Sequence, residues 1–192
     1  IVNSLEKESF IVENVKHSQK KRQPSSPFTT STMQQEASRK LSFTAQKTMR
    51  VAQQLYEGVE ISGVGTTGLI TYMRTDSLRI SEDARKLATE LIKNQFGEAY
   101  LPKTPRYFKS KASSQDAHEA IRPTNPNLKP EQVKESLSLD QFKLYKLIWE
   151  RFIASLMHEQ VLDVVSVDIK AGEHLFKTSE SKVRFDGFAV LY

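Results

Sequence analysis

The chain has 192 residues, and its 38% hydrophobic content argues for a folded core and against wholesale disorder. It contains no cysteine, which excludes disulfides and thiolate zinc sites, and its net charge of +5 weakly favours a polyanionic partner such as nucleic acid. No apolar run approaches the roughly 20 residues that span a bilayer. The N-terminus has neither a signal-peptide pattern nor an initiator methionine. We therefore expect a fragment of a longer cytoplasmic protein that does not associate with membranes.

The first third of the chain predicts a strand, a linker and one long helix. Residues 8–16 are rich in Phe, Ile and Val and predict a short strand. The basic, Ser- and Pro-rich residues 16–27 predict a linker, with a domain boundary near Pro24. Apolar residues at steps of three and four predict one helix over Ser31–Glu57. Basic side chains on its other faces form either a solvated surface or a surface that faces phosphate.

Residues 58–68 contain four glycines and predict a flexible loop without either phosphate-binding glycine motif. Residues 70–74, ITYMR, predict a strand. Ser81, which precedes two acidic residues, predicts the start of a helix that ends at Gly97. Residues 113–122 predict a short helix that Pro123 closes.

The last predicted helix is long and begins at a capping box formed by Ser138 and Gln141. Its aromatic residues recur at helical spacing, and we interpret them as core residues and not as a base-stacking platform. From residue 162 to residue 192 the pattern alternates as in strands. The sequence therefore predicts an α+β fold in which a mainly helical, tyrosine-bearing domain (25–158) is inserted into a β-rich domain formed by residues 1–24 and 159–192.

Tyr72 stands in an unusually polar run, ITYMRTDS. In a strand, Tyr72 and Arg74 would point to the same side. A free tyrosine has a pKa of about 10, and an adjacent guanidinium lowers it. The same guanidinium can hold a phosphate through paired hydrogen bonds. Asp76 could orient Arg74. The spacing leaves two interpretations open: a structural tyrosine, or a nucleophile on a phosphate-binding surface.

A second candidate site is DAHEAIRP, in which His118 and Arg122 are four residues apart and would share one face of a helix. Both can donate hydrogen bonds to a phosphodiester, and His118 could also move a proton. The alternative is a surface histidine beside a helix-end arginine. The segment lacks the second histidine of an H-E-x-x-H zinc site, and no acidic cluster is spaced to hold magnesium. We therefore expect any metal ligands to lie outside this chain.

Three segments resemble those of bacterial DNA topoisomerase I, the type IA class: PFTTSTMQQEASRKL (27–41), GLITYMRTDS (68–77) and SQDAHEAIRP (114–123). VRFDGF (183–188) is similar to a further family segment. The resemblance covers nearly the whole chain in the family's order, and the pair ITYMRTDS and AHEAIRP is highly specific. It favours the interpretation of Tyr72 as a nucleophile.

The resemblance implies cleavage of one DNA strand through a 5′-phosphotyrosine intermediate, passage of the other strand and religation, which relax negative supercoils. The motif match makes Tyr72 the nucleophile and Arg74 the residue that holds the scissile phosphate. His118 matches the family histidine that binds DNA phosphate near the site. Arg122 is assigned to DNA contact or local support, and Asp76 to a supporting role.

The resemblance also implies parts that this chain lacks. In the family, a Toprim domain precedes this region and binds Mg²⁺, while a further DNA-binding domain and zinc ribbons lie elsewhere. We therefore expect the Mg²⁺ ligands outside this chain, no bound cofactor here and no use of ATP. The expected partners are single-stranded DNA and the missing domains of the same polypeptide, in a nucleoid-associated location. The chain alone is expected to be an inactive gate fragment that hinges near residues 24 and 159.

The sequence leaves three alternative functions to this interpretation. A tyrosine recombinase or type IB enzyme also uses Tyr, Arg and His, but its tyrosine usually follows an H-x-x-R segment, whereas Tyr72 comes first and the spacing here is H-x-x-x-R. A noncatalytic single-stranded DNA-binding module would have a purely structural Tyr72. The topoisomerase portion of a reverse gyrase would require a helicase domain beyond this chain.

Overall fold

The computed structural model describes residues 2–108 and 118–192 and has the predicted α+β fold. These residues divide into two compact units. One unit comprises the chain up to Gln23 together with Glu159–Gly187, and the other comprises Pro24–His158 together with Phe188–Tyr192. Within the described residues, no helix is both long and apolar enough to cross a membrane.

The first unit is a three-stranded antiparallel sheet that follows a short helix, α1 (Val2–Leu5). Its strands, in the order β1, β4 and β5, are Ile11–Arg22, Gln160–Ala171 and His174–Phe185. The prediction of a linker from residue 16 is wrong as far as Arg22, because these polar residues pair with β4 from Lys16↔Ser166 to Arg22↔Gln160. Ladder hydrogen bonds to a partner strand outweigh the low strand propensity of a Lys- and Ser-rich segment.

The prediction that strand structure continues to residue 192 is also wrong. Gly187 has a φ of 52°, and Gly187–Val190 form a 3-10 turn. Phe188 is buried and belongs to the helical unit. The C-terminal residues therefore contribute to the core of the second unit and do not extend the sheet.

The predicted helix over Ser31–Glu57 is two helices, α2 (Thr30–Leu41) and α3 (Ala45–Glu57). Ser42 ends α2 in the left-handed conformation, with a φ of 56°. The Thr44 hydroxyl then accepts a hydrogen bond from the Lys47 N–H and caps α3. An uninterrupted apolar stripe did not reveal this break, because both helices present that stripe to the same core.

The remaining helices are α4 (Glu82–Phe96), α5 (Pro130–Val133) and α6 (Leu139–Leu156), with 3-10 turns at Glu98–Tyr100 and Lys134–Ser136. Helices α2 to α5 all contact α6. The predicted core role of the α6 aromatics is confirmed, since the following are buried: Tyr145, Trp149 and Phe152. Their polar atoms are also satisfied, because the Tyr145 hydroxyl donates to the Leu128 carbonyl (2.6 Å) and the Trp149 indole to that of Pro126 (2.8 Å).

The glycine-rich residues 58–68 form an antiparallel hairpin, β2 (Val59–Ile61) and β3 (Gly65–Thr67), where the sequence predicted a flexible loop. Gly63 and Gly65 adopt positive φ values of 77° and 91° at and next to the turn. Glycine reaches this conformation without steric cost, so the glycines permit a tight connection and do not indicate disorder.

Glu150 on α6 gives the helical unit a testable pH dependence. Burial raises the pKa of its carboxyl group above the usual value, and this outweighs the attraction of Lys146 and Lys40. Because the folded pKa exceeds the unfolded pKa, this group destabilises the fold increasingly as the pH rises from about 4.3 through the folded value. We expect Glu150→Gln to raise the melting temperature at pH 7.5, and the gain to vanish near pH 4.

Thermal unfolding from pH 4 to pH 7.5 measures this gain. The matched control is Glu135→Gln, since Glu135 is an exposed glutamate of the same unit and is not among the charged groups that act on Glu150. A gain for Glu150→Gln that is independent of pH would contradict the explanation.

Candidate functional site

The segment that carries Tyr72 is irregular, although the sequence predicted a strand over residues 70–74. Ile70 makes a single antiparallel bridge, to Pro123, and no strand follows through residue 80. Proline has no backbone N–H, so a ladder cannot continue across it. The alternation that would have placed Tyr72 and Arg74 on one side of a strand is therefore absent.

On one side, the N-terminus of α2 holds this segment. The Thr30 hydroxyl donates its single hydrogen to the Met73 carbonyl (2.7 Å), lies within 3.1 Å of the Thr75 carbonyl and accepts from the Thr75 N–H (2.9 Å). The Thr30 N–H also donates to the Thr75 carbonyl (2.9 Å). One threonine thus replaces the hydrogen bonds that a neighbouring strand would have supplied.

On the other side, Thr71 binds residues 120–122. Its N–H donates to the Arg122 carbonyl (2.9 Å), its hydroxyl donates to the Ala120 carbonyl (2.7 Å), and the Arg122 N–H donates back to that hydroxyl (3.0 Å). Residues 118–122 are not helical, and Ile121 makes a single antiparallel bridge to Phe28, so the predicted helix is wrong there; residues 113–117 lie outside the described residues. These tertiary hydrogen bonds fix the backbone in a conformation that a helix cannot adopt.

Tyr72 is half-buried between two aromatic side chains. Its ring centroid lies 5.2 Å from that of His118 and 5.4 Å from that of Tyr56, which packs edge-on. The predicted association of Tyr72 with the second motif is therefore present as a direct ring contact. This contact restricts the orientation of the phenol and places an imidazole beside it.

Arg74 and His118 line the same cavity, which has a volume of about 500 Å³. Asp76 also lines it, together with the first residues of α2: Thr29, Thr30 and Ser31. A helix N-terminus carries a partial positive charge that favours anions, and Arg74 is an exposed guanidinium. The cavity therefore combines two cationic or hydrogen-bond-donating side chains with a helix N-terminus, which suits a phosphate group.

The position of Asp76 gives no direct support for an orienting role. No hydrogen bond or ion pair joins Asp76 to Arg74 within the described part of the chain. Both side chains are exposed at the cavity. Arg74 is therefore available to an external anion.

Arg122 is placed quite differently from Arg74. It is buried, and its guanidinium donates to Glu119 through Nε (2.7 Å) and lies 2.6 Å from the same carboxylate through Nη2. Further bonds reach the Pro123 carbonyl (2.9 Å) and the Ser81 hydroxyl (3.3 Å). It does not share a helix face with His118, and it does not line the cavity. Its contacts support a local structural role.

Sequence reasoning missed four residues of this site: Thr29, Thr30, Ser31 and Tyr56. A signal for the first three was present in the hydroxyl-rich run FTTST, since Thr29 and Thr32 form a capping box. The predicted helix began one residue late, at Ser31. Nothing in the sequence pattern distinguishes Tyr56, which reaches Tyr72 only because α3 packs beside it.

The basic residues of α2 and α3 are largely engaged within the protein. Lys47 pairs with Asp140 (2.9 Å), while Arg39 and Lys40 lie 3.9 and 3.7 Å from Glu36. These contacts favour the solvated, structural interpretation of this face over a phosphate-facing one.

The carboxylates near Tyr72 do not form a metal site. Asp76 lines the cavity, whereas Glu119 is committed to Arg122 and also lies 3.8 Å from Arg79. In residues 2–108 and 118–192, no three His, Asp or Glu side chains are grouped so that they could hold a metal ion.

The chain is similar to known proteins in both sequence and structure. A sequence profile of the DNA topoisomerase family matches residues 1–192. The structure is similar to that of full-length topoisomerase I from Thermotoga maritima, with a TM-score of 0.86 and 43% sequence identity. The match covers 99% of this chain and 30% of the Thermotoga chain, so the chain spans about a third of its relative.

The partnership of Arg122 with Glu119 predicts a large difference between two arginine substitutions. Arg122→Met leaves the Glu119 carboxylate without its main partner, and breaking such a pair costs about 3 kcal/mol. Arg74→Ala, the matched control, removes an exposed side chain and should change the free energy of unfolding by less than about 0.5 kcal/mol. Urea unfolding measures both, and equal effects would contradict the structural role of Arg122.

Proposed function

This chain belongs to the DNA topoisomerase family, and we propose that it is the tyrosine-bearing gate of a type IA enzyme. The observation that carries the proposal is the direct contact of Tyr72 with His118, at a cavity that His118 shares with Arg74. The family match supports this class of reaction, and the contact supports Tyr72 as the tyrosine that performs it.

The proposed reaction is a reversible transesterification on one DNA strand. The Tyr72 phenol oxygen attacks the phosphorus of a phosphodiester, the new P–O bond to tyrosine forms, and the P–O3′ bond breaks. The phenol loses its proton, and the departing 3′ oxygen gains one and becomes a free 3′-hydroxyl. The 5′ phosphate remains on Tyr72. Religation is the reverse, and because one phosphodiester replaces another, the reaction needs no ATP.

Three features of the cavity would assist this step. Arg74 can hold a non-bridging phosphate oxygen with paired hydrogen bonds and offset the charge that develops in the transition state. His118 can donate to the same phosphate and, as an imidazole beside the phenol, is a candidate to transfer a proton. The N-terminus of α2 adds a favourable field for an anion.

Magnesium does not fit the residues that the structure describes near Tyr72, since among them Asp76 is the one carboxylate that lines the cavity and Glu119 is engaged by arginines. We assign no step to the ion. We propose that its ligands belong to a Toprim domain of the same polypeptide, and that this chain alone binds single-stranded DNA but does not cleave it. Strand passage and relaxation of negative supercoils are proposed for the whole enzyme.

A purely noncatalytic DNA-binding module is the competing function. It is favoured by the lack of a metal-binding carboxylate group among residues 2–108 and 118–192. The two functions differ in what they require of the Tyr72 hydroxyl, and a substitution at that atom therefore separates them.

The first prediction concerns the covalent intermediate. We expect the chain, combined with the metal-binding part of the enzyme and magnesium, to form an adduct with single-stranded oligonucleotides. The adduct should retain the 3′-labelled fragment and release the 5′-labelled one, because tyrosine keeps the 5′ phosphate. Retention of the 5′-labelled fragment instead would exclude the type IA mechanism.

Tyr72→Phe should abolish the adduct and change single-strand affinity by less than about twofold, since it removes one hydroxyl and keeps the ring contacts. Tyr56→Phe is the matched control, because it alters the neighbouring ring and should leave adduct formation intact. Loss of the adduct in both variants would indicate a structural effect on the site.

A second prediction concerns phosphate binding by Arg74. Arg74→Ala should weaken single-strand binding and lower the slope of log K against log salt by about 0.7, the value for one lost phosphate contact. Fluorescence anisotropy at salt concentrations from about 50 to 200 mM measures the slope of log K against log salt. An unchanged slope would show that Arg74 does not contact phosphate.

A further inference from the structure

The sheet of the first unit carries a row of lysines and serines on one face. Residues that pair directly across antiparallel strands project to the same side. The register therefore places on one side of the sheet, called here the lysine face, the following residues: Lys16, Lys20, Lys170, Ser166, Ser179 and Ser181. Lys16, Ser166 and Ser179 form one row across all three strands.

The charges of the lysine face are available. Lys16, Lys20 and Lys170 are exposed, and none has an ion-pair partner in the part of the chain that the structure describes. Asp168 is an acidic residue on the same face, but its carboxylate already contacts Lys177 (3.4 Å) and Asn14 (3.3 Å). The face therefore has an uncompensated positive charge.

On the opposite face, two of the cations are paired with acids, whereas Lys182, which is opposite Asp163 in the register, has no ion pair among the described residues. Lys21 contacts Glu159 (2.8 Å), and Arg184 contacts Asp163 (3.6 Å). The two phenylalanines of these strands also lie on that side, since Phe176 pairs with Ile169 and Phe185 pairs with Val161. The two faces thus differ in both charge and chemistry.

The lysine face suits the phosphates of a nucleic acid strand. Part of it forms a shallow groove of about 530 Å³, outside which Lys20 and Lys170 lie. The groove places ammonium and hydroxyl donors side by side with one carboxylate, that of Asp168, which is paired with Lys177; its lining is Asn14, Lys16, Ser166, Asp168, Lys177, Thr178 and Ser179. Lys16 and Lys20 are four residues apart on one strand, which separates them by about 13 Å. The rows of this face contain no aromatic ring on which a base could stack, so recognition would be of the backbone and independent of sequence.

We propose that the lysine face is a second binding surface for single-stranded DNA, in addition to the cavity beside Tyr72. Its occupant is one strand, held through its phosphates by Lys16, Lys20 and Lys170 and by neighbouring serine hydroxyls. The inference rests on the proposed function for the identity of the nucleic acid. It depends on a different unit of the chain and on different residues.

The test compares two triple variants that remove equal charge from opposite faces of the sheet. The first is Lys16→Gln, Lys20→Gln and Lys170→Gln; the control is Lys21→Gln, Lys182→Gln and Arg184→Gln. Binding of an oligo-dT and of a mixed-sequence strand is measured against salt concentration. The lysine-face variant should lose about tenfold in affinity at low salt, and its salt slope should fall by about 2, the sum for three phosphate contacts.

The control should lose less than about threefold, and replacement of the three lysine-face residues with arginine should keep wild-type affinity. The loss should also be the same for both oligonucleotides, because phosphate contacts carry no sequence information. Equal losses of affinity in the two triple variants would show that only the net charge of the chain matters, and would overturn the inference. Failure of the unsubstituted chain to bind either strand would overturn it as well.

Adduct formation on a short oligonucleotide by the reconstituted enzyme separates this inference from the proposed function. A normal adduct with no difference between the triple variants would refute the lysine face alone. A selective loss of binding in the lysine-face variant without any adduct in the unsubstituted enzyme would refute the catalytic proposal and support the surface.

Discussion

The position of Tyr72 depends on threonine hydroxyls that replace a missing strand. Buried backbone groups must be hydrogen-bonded, and the segment around Tyr72 belongs to no sheet. Thr30 satisfies the carbonyls of Met73 and Thr75, and Thr71 joins the segment to Ala120 and Arg122. Three segments that are remote in sequence are thereby fixed together. An irregular backbone held at this many points can present a side chain as rigidly as a strand.

The arginines around this site have different functions because their surroundings differ. Arg122 is buried and surrounded by acceptors: its guanidinium forms an ion pair with Glu119 and donates a hydrogen bond to the Pro123 carbonyl. Arg74 is exposed, and although Asp76 lines the same cavity, no ion pair or hydrogen bond joins the two among the described residues. The Arg122 guanidinium is neutralised by Glu119 within the fold. The Arg74 guanidinium therefore remains available to bind a phosphate. The capacity to bind an anion and the contribution to stability therefore reside in separate arginines of the motif pair.

The two units illustrate two uses of secondary structure. In the helical unit, α6 is packed by α2 to α5, and its large side chains are buried. In the sheet, the buried residues are Gln160 and Ala171 at the ends of β4, and β1 is exposed along its length. A sheet with two accessible faces can carry different chemistry on each. Here one face has three lysines without an ion pair among the described residues, while on the other Lys21 and Arg184 are paired with acids.

The sequence by itself determined the α+β class, the helix from Ser81 to Gly97, the aromatic core of α6 and the residues of the two motifs. These follow from local rules: capping, periodicity and the chemistry of Tyr, Arg and His. It did not determine the break at Ser42, the hairpin at residues 58–68 or the strand that extends to Arg22. Only the tertiary structure decided that Arg122 is buried while Arg74 is free, and that Tyr56 lies against Tyr72. The physical reason is that burial, ion pairing and hydrogen bonds between remote segments depend on which residues come into contact. Those contacts form only when the chain folds.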